Sequence, residues 1–182
     1  MRSSTKDNLF IGLALVIMGV LFYSSSQPYE EQSVTPLLNQ LLAKEPLKNL
    51  LSGIHFTYAS GEVSIDALGY SEFIEFFIRK AAHFGTYFLL GLFWFLGLKN
   101  KMTSISLAAF ISWLLATGYA ALDEFHQGIT PNRTPLLQDV TLDSVGALTA
   151  IGLALLFLFS TKTKKEQKRI TVRTISPKIH HF

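Results

Sequence analysis

Four long apolar stretches dominate the chain, and they predict its architecture. They cover residues 9–23, 81–98, 102–122 and 140–159, and each runs for 15 to 21 residues. A helix needs roughly 20 apolar residues to cross a hydrocarbon core about 30 Å thick. The pattern therefore predicts an all-α membrane protein, a bundle of four transmembrane helices. The expected spans are residues 8–25, 72–98, 102–126 and 137–160.

The segments outside the spans give the predicted domain organisation. Residues 1–162 are expected to form one four-span membrane domain. A long loop, residues 27–70, separates the first two spans and is expected to act as a lid or spacer. Residues 163–182 are expected to form a basic tail that is attracted to anionic lipid. A nucleic-acid partner is not predicted for that tail.

The long loop carries its own periodic pattern. Apolar residues recur at helical spacing over residues 34–42 and 47–54, on either side of Pro46, which predicts two short amphipathic helices. Residues 54–65 then alternate apolar and polar side chains around Gly61, which predicts a small β-hairpin. An isolated hairpin is marginally stable in water, so we expect this one to rest on the helices or on the lipid surface.

Small residues indicate where the spans approach one another. Gly12 and Gly19 lie seven residues apart in span one, where they are expected to allow close helix packing. Gly146 and Ala150 do the same in span four. Span three has a ridge of small residues at four-residue spacing, namely Ser104, Ala108, Ser112, Ala116 and Ala120. Span one followed by Ser24 to Ser26 is also typical of a cleaved signal peptide, but the two glycines favour a retained helix.

The distribution of charge predicts the orientation of the spans. If the N-terminus is cytoplasmic, the inner segments carry eleven Lys and Arg residues and two acids. The outer segments then carry five Lys and Arg residues and eleven acids. Basic residues concentrate on the cytoplasmic side of membrane proteins. The sequence therefore predicts that both termini are cytoplasmic and that the long loop is outside.

One polar stretch interrupts this apolar pattern between spans three and four. Residues 122–143, LDEFHQGITPNRTPLLQDVTLD, hold six ionisable side chains around a short loop. A charge buried in lipid costs several kcal/mol unless it is paired or hydrated. We therefore expect a polar site at the outer end of the bundle, which a compact arrangement of four helices would assemble.

Helical spacing selects the residues of this predicted site. Lys80, His83 and Tyr87 share one face of span two, and Asp139 and Asp143 share a face of span four. Asp123 and Gln127 share a face at the end of span three. Glu124 and His126 fall on other faces of that turn and are weaker candidates. The full candidate set is Lys80, His83, Tyr87, Asp123, Glu124, Gln127, Arg133, Asp139 and Asp143.

Two further residues have predicted roles, one at the start of span two and one in the short loop. Ser71 is expected to cap the helix of span two. Arg133 follows Pro131-Asn132, a turn sequence that would fold it back over the site. Its planar guanidinium suits a phosphate or a carboxylate ligand, but it could equally be the structural partner of Asp139 or Asp143.

Composition removes several classes of chemistry. The chain has no cysteine, so it has neither disulfides nor a thiolate metal site. No metal-ligand spacing, glycine-rich phosphate loop or nucleophile motif occurs, and neither a metal nor another cofactor is predicted. A general acid and base drawn from the site carboxylates is a weaker alternative, and no catalytic residue is assigned.

Three motifs resemble the VanZ-like family of small bacterial membrane proteins, which is associated with resistance to the glycopeptide teicoplanin. They are RKAAHFGTYFLLG at residues 79–91, DEFHQGITPNRTPLLQDV at residues 123–140, and the DSVGA that begins at Asp143. The resemblance implies an envelope protein and carries over the candidate residues up to Asp139. Where the family pattern usually has Asn, this chain has Asp143, which keeps an acceptor but loses a donor.

Three hypotheses remain open on the sequence alone. The site could bind an anionic lipid-linked cell-wall precursor or a glycopeptide antibiotic. It could be the active site of a membrane-embedded enzyme acting on an envelope lipid or polymer, with Asp123 or Glu124 as base and His83 as acid. Alternatively, the polar residues could form a salt-bridge cluster that only stabilises the bundle.

Overall fold

Each of the four apolar stretches forms one long helix in the computed structural model, which describes residues 5–175. The long helices are α1 (Thr5–Ser25), α6 (Tyr70–Leu98), α7 (Ile105–Ile129) and α8 (Leu137–Ile175). All four are long and apolar enough to cross a membrane, α8 by its first part, Leu137–Thr161. The predicted four-helix membrane bundle is therefore confirmed.

The helix ends differ in detail from the predicted spans. α6 begins at Tyr70, directly after Gly69, which has a φ of 84°. Ser71 therefore lies inside the helix, and the predicted Ser71 cap is wrong. α7 begins later than expected, because Ser104 accepts a hydrogen bond from the Leu107 amide as its N-cap. Ser104 is thus a cap rather than part of the ridge of small residues.

α8 continues as one helix beyond the predicted end of the membrane domain. It extends without a break to Ile175, so the first part of the basic tail is helical. The remainder of the tail, residues 176–182, and the basic residue Arg2 lie outside the described residues. The division at residue 162 stays a prediction.

The loop between α1 and α6 contains four short helices and a hairpin. They are α2 (Tyr29–Gln32), α3 (Thr35–Leu41), α4 (Lys48–Leu51), β1 (Phe56–Tyr58), β2 (Gly61–Val63) and α5 (Ile65–Leu68). The predicted helices on either side of Pro46 and the predicted antiparallel hairpin are both present. The two further short helices were not predicted.

The hairpin rests on the first turns of α6. Val63 is buried with Ile65 and Phe73 in a small apolar core. The Tyr58 ring packs edge-on against Phe76, with ring centroids 5.3 Å apart. This contact fixes the hairpin above the bundle, as expected for an element too small to be stable alone.

α6 and α7 form the centre of the bundle, with α1 on one side and α8 on the other. α6 packs most extensively against α8, and two glycines allow this close approach. A Cβ built on Gly91 would lie 2.7 Å from the Ala147 Cα, and one on Gly146 would lie 2.6 Å from the Phe84 carbonyl oxygen. The predicted role of Gly146 in helix packing is therefore confirmed.

The small-residue ridge of α7 is also confirmed, apart from its first member. Ala108, Ser112, Ala116 and Ala120 are all fully buried. The corresponding prediction for α1 is wrong, because nothing lies within 4 Å of a Cβ built on Gly12 or Gly19. α1 instead packs through Ile11 on Gly97 of α6. Sequence spacing identified the glycines but could not tell which face of α1 meets the bundle.

The two ends of the bundle are built differently. At one end, here called the turn end, the short α6–α7 connection is tied to α1, with Asn100 donating to Asp7 at 2.9 Å. The opposite end, here called the loop end, carries the long loop and the connection between α7 and α8. All nine predicted site residues lie towards the loop end of the helices or in that connection.

Candidate functional site

A pocket of about 370 Å³ opens at the loop end, between α6, the hairpin and the α7–α8 connection. Five of the nine predicted residues line it: Lys80, His83, Gln127, Arg133 and Asp139. The loop adds Tyr29, Tyr58 and Glu62, and the start of α6 adds Glu72, Phe76 and Arg79. The other four predicted residues, Tyr87, Asp123, Glu124 and Asp143, are buried.

Lys80 and Asp139 form the most complete ion pair in the pocket. The Lys80 ammonium lies 2.6 Å and 2.8 Å from the two Asp139 carboxylate oxygens. The Tyr58 hydroxyl donates to the same carboxylate at 2.5 Å, and the Lys80 nitrogen lies 4.6 Å from the centre of the Tyr58 ring. Asp139 is thus neutralised and hydrogen-bonded, which is the condition for burying a carboxylate at low cost.

Tyr58 responds to this arrangement in its acidity. Burial, the hydrogen bond to Asp139 and the negative charge of Asp139 together raise the pKa of the Tyr58 hydroxyl well above its ordinary value. The hydroxyl therefore stays protonated and remains a donor over the physiological range.

Arg133 is held by neutral acceptors rather than by a carboxylate. Its guanidinium donates to the Gln127 side-chain oxygen at 3.3 Å, to the Gln32 side-chain oxygen at 2.7 Å and to the Gln27 carbonyl at 3.3 Å. The salt bridges between residues 5 and 175 do not include Arg133. The alternative that it is the partner of Asp139 or Asp143 is therefore wrong.

The turn before Arg133 explains its position. Asn132 has a φ of 58°, a left-handed conformation that Asn tolerates better than most residues. The turn brings the guanidinium back over the end of α7. Burial and the nearby positive charge of Arg79 both lower the pKa of Arg133. A bound anion would relieve this unfavourable environment of the guanidinium.

His83 connects the pocket to a buried carboxylate. The histidine lines the pocket, and its Nδ1 atom lies 3.4 Å from an oxygen of Asp143. The Asp143 side chain is 1% exposed. The pair joins α6 to α8 one turn below Lys80 and Asp139, as the shared helical faces predict.

Beneath the pocket lies a group of buried polar side chains that lack hydrogen-bond partners. In the described part of the chain, the buried side-chain atoms without a partner are the Tyr87 hydroxyl, one carboxylate oxygen each of Asp123, Glu124 and Asp143, and, outside this group, Trp94 Nε1. The three acids lie close enough to Tyr87 to interact with it electrostatically. Buried polar atoms are normally satisfied, so a concentration of unsatisfied ones is typical of a functional site.

Glu124 belongs to this group, contrary to its ranking as a weaker candidate. It is 4% exposed, and its second carboxylate oxygen accepts a hydrogen bond from the Leu136 amide at 2.7 Å. The amide groups at the start of a helix lack partners within the helix, and Glu124 satisfies one next to α8. Glu124 lies on a different face of α7 from Asp123, and that face is turned towards α8 rather than away from the bundle.

His126 lies outside the pocket, as its helical face predicts. Its Nδ1 atom lies 2.9 Å from the Ser25 hydroxyl, and its ring stacks on Phe22 with centroids 4.5 Å apart. The residue therefore anchors the end of α1 to α7. By contrast, Asp123 and Gln127 share a face as expected, with the Gln127 amide donating to Asp123 at 3.2 Å.

Sequence patterns missed three residues that build the site. Tyr58 binds Asp139, and Gln32 holds Arg133, but both come from the long loop that was interpreted as a lid or spacer. Glu75, at the start of α6, was not among the candidate residues, yet it accepts hydrogen bonds from the Ser33 hydroxyl at 2.8 Å and from the Thr35 amide at 2.8 Å. No periodic pattern in the sequence connected these residues to the partners that they contact.

The arrangement can bind an anion and can move a proton. Arg133, Arg79 and Lys80 bring positive charge to one pocket, although Lys80 is already paired with Asp139. His83 and Asp143 form an acid–base pair at its floor. Among residues 5–175, no group of three His, Asp or Glu side chains has the geometry to hold a metal ion.

Comparison with known proteins gives a family match. A family model described as VanZ/LLP1 matches residues 10–158, which include all four apolar helical segments and every candidate site residue. No curated protein matches the chain, and no solved structure does.

Proposed function

The chain belongs to the VanZ/LLP1 family, and on that premise we propose that its pocket binds the anionic headgroup of a lipid-linked cell-wall precursor. The protein would be a multi-pass protein of the bacterial cell membrane, with both termini cytoplasmic. The pocket would then open at the outer membrane face, where such headgroups are exposed.

The distribution of charge supports this orientation. The turn end carries Lys6, Lys99 and Lys101 beside Asp7. The segments at the loop end hold eleven of the thirteen acids of the chain. An excess of Lys and Arg near span ends marks the cytoplasmic side. The turn end is therefore the better candidate for the cytoplasmic face.

The observation that carries the proposal is the Arg133 guanidinium, which is held in the pocket by neutral acceptors. Its positive charge is not cancelled by a salt bridge in the described chain, unlike that of Lys80. Arginine presents a planar set of donors that matches phosphate. A pocket of about 370 Å³ is within the usual size of a small-ligand site.

A contribution to teicoplanin-type resistance would follow from this binding. A precursor headgroup held in the pocket would be withheld from a glycopeptide outside the membrane. Binding of the antibiotic itself is the rival proposal for the same pocket, and it can be distinguished experimentally because the two ligands differ in lipid attachment.

The test compares Arg133→Ala and Arg133→Lys with the parent protein. We would measure binding of a polyprenyl diphosphate lipid in nanodiscs and the teicoplanin sensitivity of cells producing each variant at equal level. Arg133→Ala should weaken lipid binding about tenfold to a hundredfold and remove protection. Arg133→Lys should recover only part of both, because it keeps the charge but loses the planar set of donors.

Lys48→Ala is the matched control. Lys48 is also a loop cation, but it is 47% exposed and forms an i,i+3 pair with Glu45 outside the pocket. It should leave binding and protection unchanged. Full protection by Arg133→Ala at normal level would contradict the proposal. Teicoplanin binding to the purified protein without lipid would replace the headgroup with the antibiotic.

A further inference from the structure

The pocket contains an acid–base pair that anion binding does not require. His83 contributes part of the wall, and its Nδ1 atom lies 3.4 Å from Asp143 Oδ2. Retaining a charged or polar pair at membrane depth costs free energy. A site that only bound an anion would not need a carboxylate beneath it, because the carboxylate would repel the ligand.

The second nitrogen of His83 is available to the pocket. Nδ1 faces Asp143, whereas Nε2 has no hydrogen-bond partner in the described residues. Nε2 is not one of the fully buried side-chain atoms that lack a hydrogen-bond partner in this part of the chain, so this nitrogen is not fully buried. His83 lines the pocket and its side chain is 23% exposed, and we assign this exposure to the Nε2 side of the ring, which is opposite the Nδ1 atom that faces Asp143.

Asp143 is placed to control the state of that nitrogen. A carboxylate that accepts the Nδ1 proton of histidine fixes the tautomer in which Nε2 can accept a proton. It also stabilises the imidazolium that forms when Nε2 does so. A distance of 3.4 Å is long for a hydrogen bond, but such contacts commonly tighten when a substrate is bound. Asp143 is therefore a positioning residue for His83.

Cationic groups lie in the same pocket as this pair. Arg133 has no salt bridge in the described chain, and Arg79 lies 3.6 Å from Glu75 while its guanidinium lies 4.3 Å from the centre of the Tyr29 ring. Phosphoryl transfer depends mainly on positioning the phosphate and on stabilising its charge. Arg133 can hold the phosphate beside the histidine base, and Arg79, although paired with Glu75, adds positive charge nearby.

We infer that this pocket hydrolyses a phosphate monoester of a membrane lipid, with His83 as the general base. The inference rests on the proposed function, because Arg133 must hold the phosphate. Water attacks phosphorus and forms the new P–O bond, while its proton passes to His83 Nε2. The ester P–O bond breaks, its electron pair remains on the lipid oxygen, and that oxygen takes a proton from solvent at the pocket mouth. The products are the lipid alcohol and inorganic phosphate.

This assignment changes the roles that the sequence suggested for an enzyme. There, Asp123 or Glu124 was the base and His83 the acid. Both acids are buried beneath the pocket and do not line it, whereas His83 does. The group exposed to a substrate is the histidine, so the histidine takes the proton.

The experiment uses the full chain in nanodiscs. One preparation contains phosphatidic acid as a lipid phosphate monoester, and another contains a neutral lipid with soluble glycerol 3-phosphate. Inorganic phosphate release and phosphatidic acid binding are both measured. The parent protein should release phosphate from the lipid ester only. His83→Gln should reduce release at least a hundredfold while binding changes less than about threefold.

Asp143→Asn and His55→Gln complete the set. Asp143→Asn should lower kcat about tenfold or more with little change in KM, since it acts through His83 rather than on the substrate. A purely structural residue would instead lower the amount of folded protein at unchanged kcat. His55 is exposed on the long loop, so His55→Gln should match the parent protein.

The outcomes separate this inference from the proposal on which it rests. Binding without any phosphate release would overturn hydrolysis and leave headgroup binding standing. Absence of phosphatidic acid binding would overturn hydrolysis of this ester, and absence of polyprenyl diphosphate binding as well would remove both. Undiminished release by His83→Gln would overturn the role of the histidine, and equal release from glycerol 3-phosphate would overturn the lipid as substrate.

Discussion

Glu75 and Asp143 are two carboxylates at the same end of one bundle, and both are 1% exposed. Glu75 accepts hydrogen bonds from the Ser33 hydroxyl, the Thr35 amide and the Thr35 hydroxyl, and it lies 3.6 Å from Arg79. Asp143 has one contact at 3.4 Å, to His83, and its other oxygen has no partner in the described chain. The two carboxylates are therefore equally buried, but Glu75 has several hydrogen-bond partners and Asp143 has few.

The difference separates a carboxylate that stabilises from one that is available for function. Glu75 joins the long loop to α6 by accepting several hydrogen bonds, which stabilise the folded chain. Asp143 leaves polar capacity unused at a cost in free energy, as do its neighbours Asp123, Glu124 and Tyr87. We therefore propose that Glu75 serves stability and Asp143 serves the inferred chemistry, and mutations can test this distinction.

The largest expected effect is loss of stability in Glu75→Gln. The amide cannot replace the carboxylate as the acceptor of several donors, so the free energy of unfolding should fall by about 2 to 3 kcal/mol. Thermal unfolding in detergent micelles measures this. Glu72→Gln changes an exposed carboxylate on the same helix and should have almost no effect. An unchanged melting temperature for Glu75→Gln would contradict the structural role.

The next largest effect is expected for Gly146→Ala, which tests the close contact between α6 and α8 that aligns His83 with Asp143. Its Cβ would lie 2.6 Å from a backbone oxygen of Phe84, which cannot move as a side chain can. We expect a loss of about 1 to 3 kcal/mol in stability, together with loss of phosphate release. Gly152→Ala lies on the same helix with nothing within 4 Å of its Cβ, and it should retain both. Equal stability and equal phosphate release in the two variants would show that the contact between α6 and α8 tolerates movement.

The elements that local patterns govern could be predicted from the sequence. Run length predicted the four spans, helical spacing put Lys80 and His83 on one face of span two and Asp139 and Asp143 on one face of span four, and alternation predicted the hairpin. These features depend on repeat periods of the backbone itself. The pairs that these residues form across the bundle were not predicted, because a shared helical face does not identify the partner on another helix.

Contacts across long sequence separations were beyond the same patterns. Tyr58 meets Asp139 across 81 residues, and Thr35 meets Glu75 across 40, with no periodicity connecting either pair. Gly12 and Gly19 had the right spacing for packing but face no neighbour within 4 Å. Glu124 was ranked by its angle to Asp123, although the approach of α8 determines its burial. Each of these depends on how separate elements dock.

Asp143→Asn sharpens the comparison through activity rather than stability. It removes a buried carboxylate that has an unpartnered oxygen, so stability should change by less than about 1 kcal/mol in either direction. Phosphate release should still fall about tenfold, equivalent to about 1.4 kcal/mol in the activation barrier. Unfolding measured as for Glu75→Gln provides the check. A loss of stability as large as that of Glu75→Gln would mean that both carboxylates are structural.

Asp139 is the intermediate case, a pocket carboxylate that is satisfied, and Tyr58→Phe should have the smallest effect. Lys80 still contacts both carboxylate oxygens in this variant, so the loss of one hydroxyl should cost about 0.5 to 1 kcal/mol. Folding raises the pKa of Tyr58, so its contribution is complete below the unfolded value of about 10 and is lost as pH rises through the higher folded value. The stability difference between the parent protein and Tyr58→Phe should therefore be constant from about pH 6 to pH 9 and shrink at higher pH. A difference that vanished near neutral pH would show that Asp139 does not need the hydroxyl, and Lys80 alone would then account for its satisfaction.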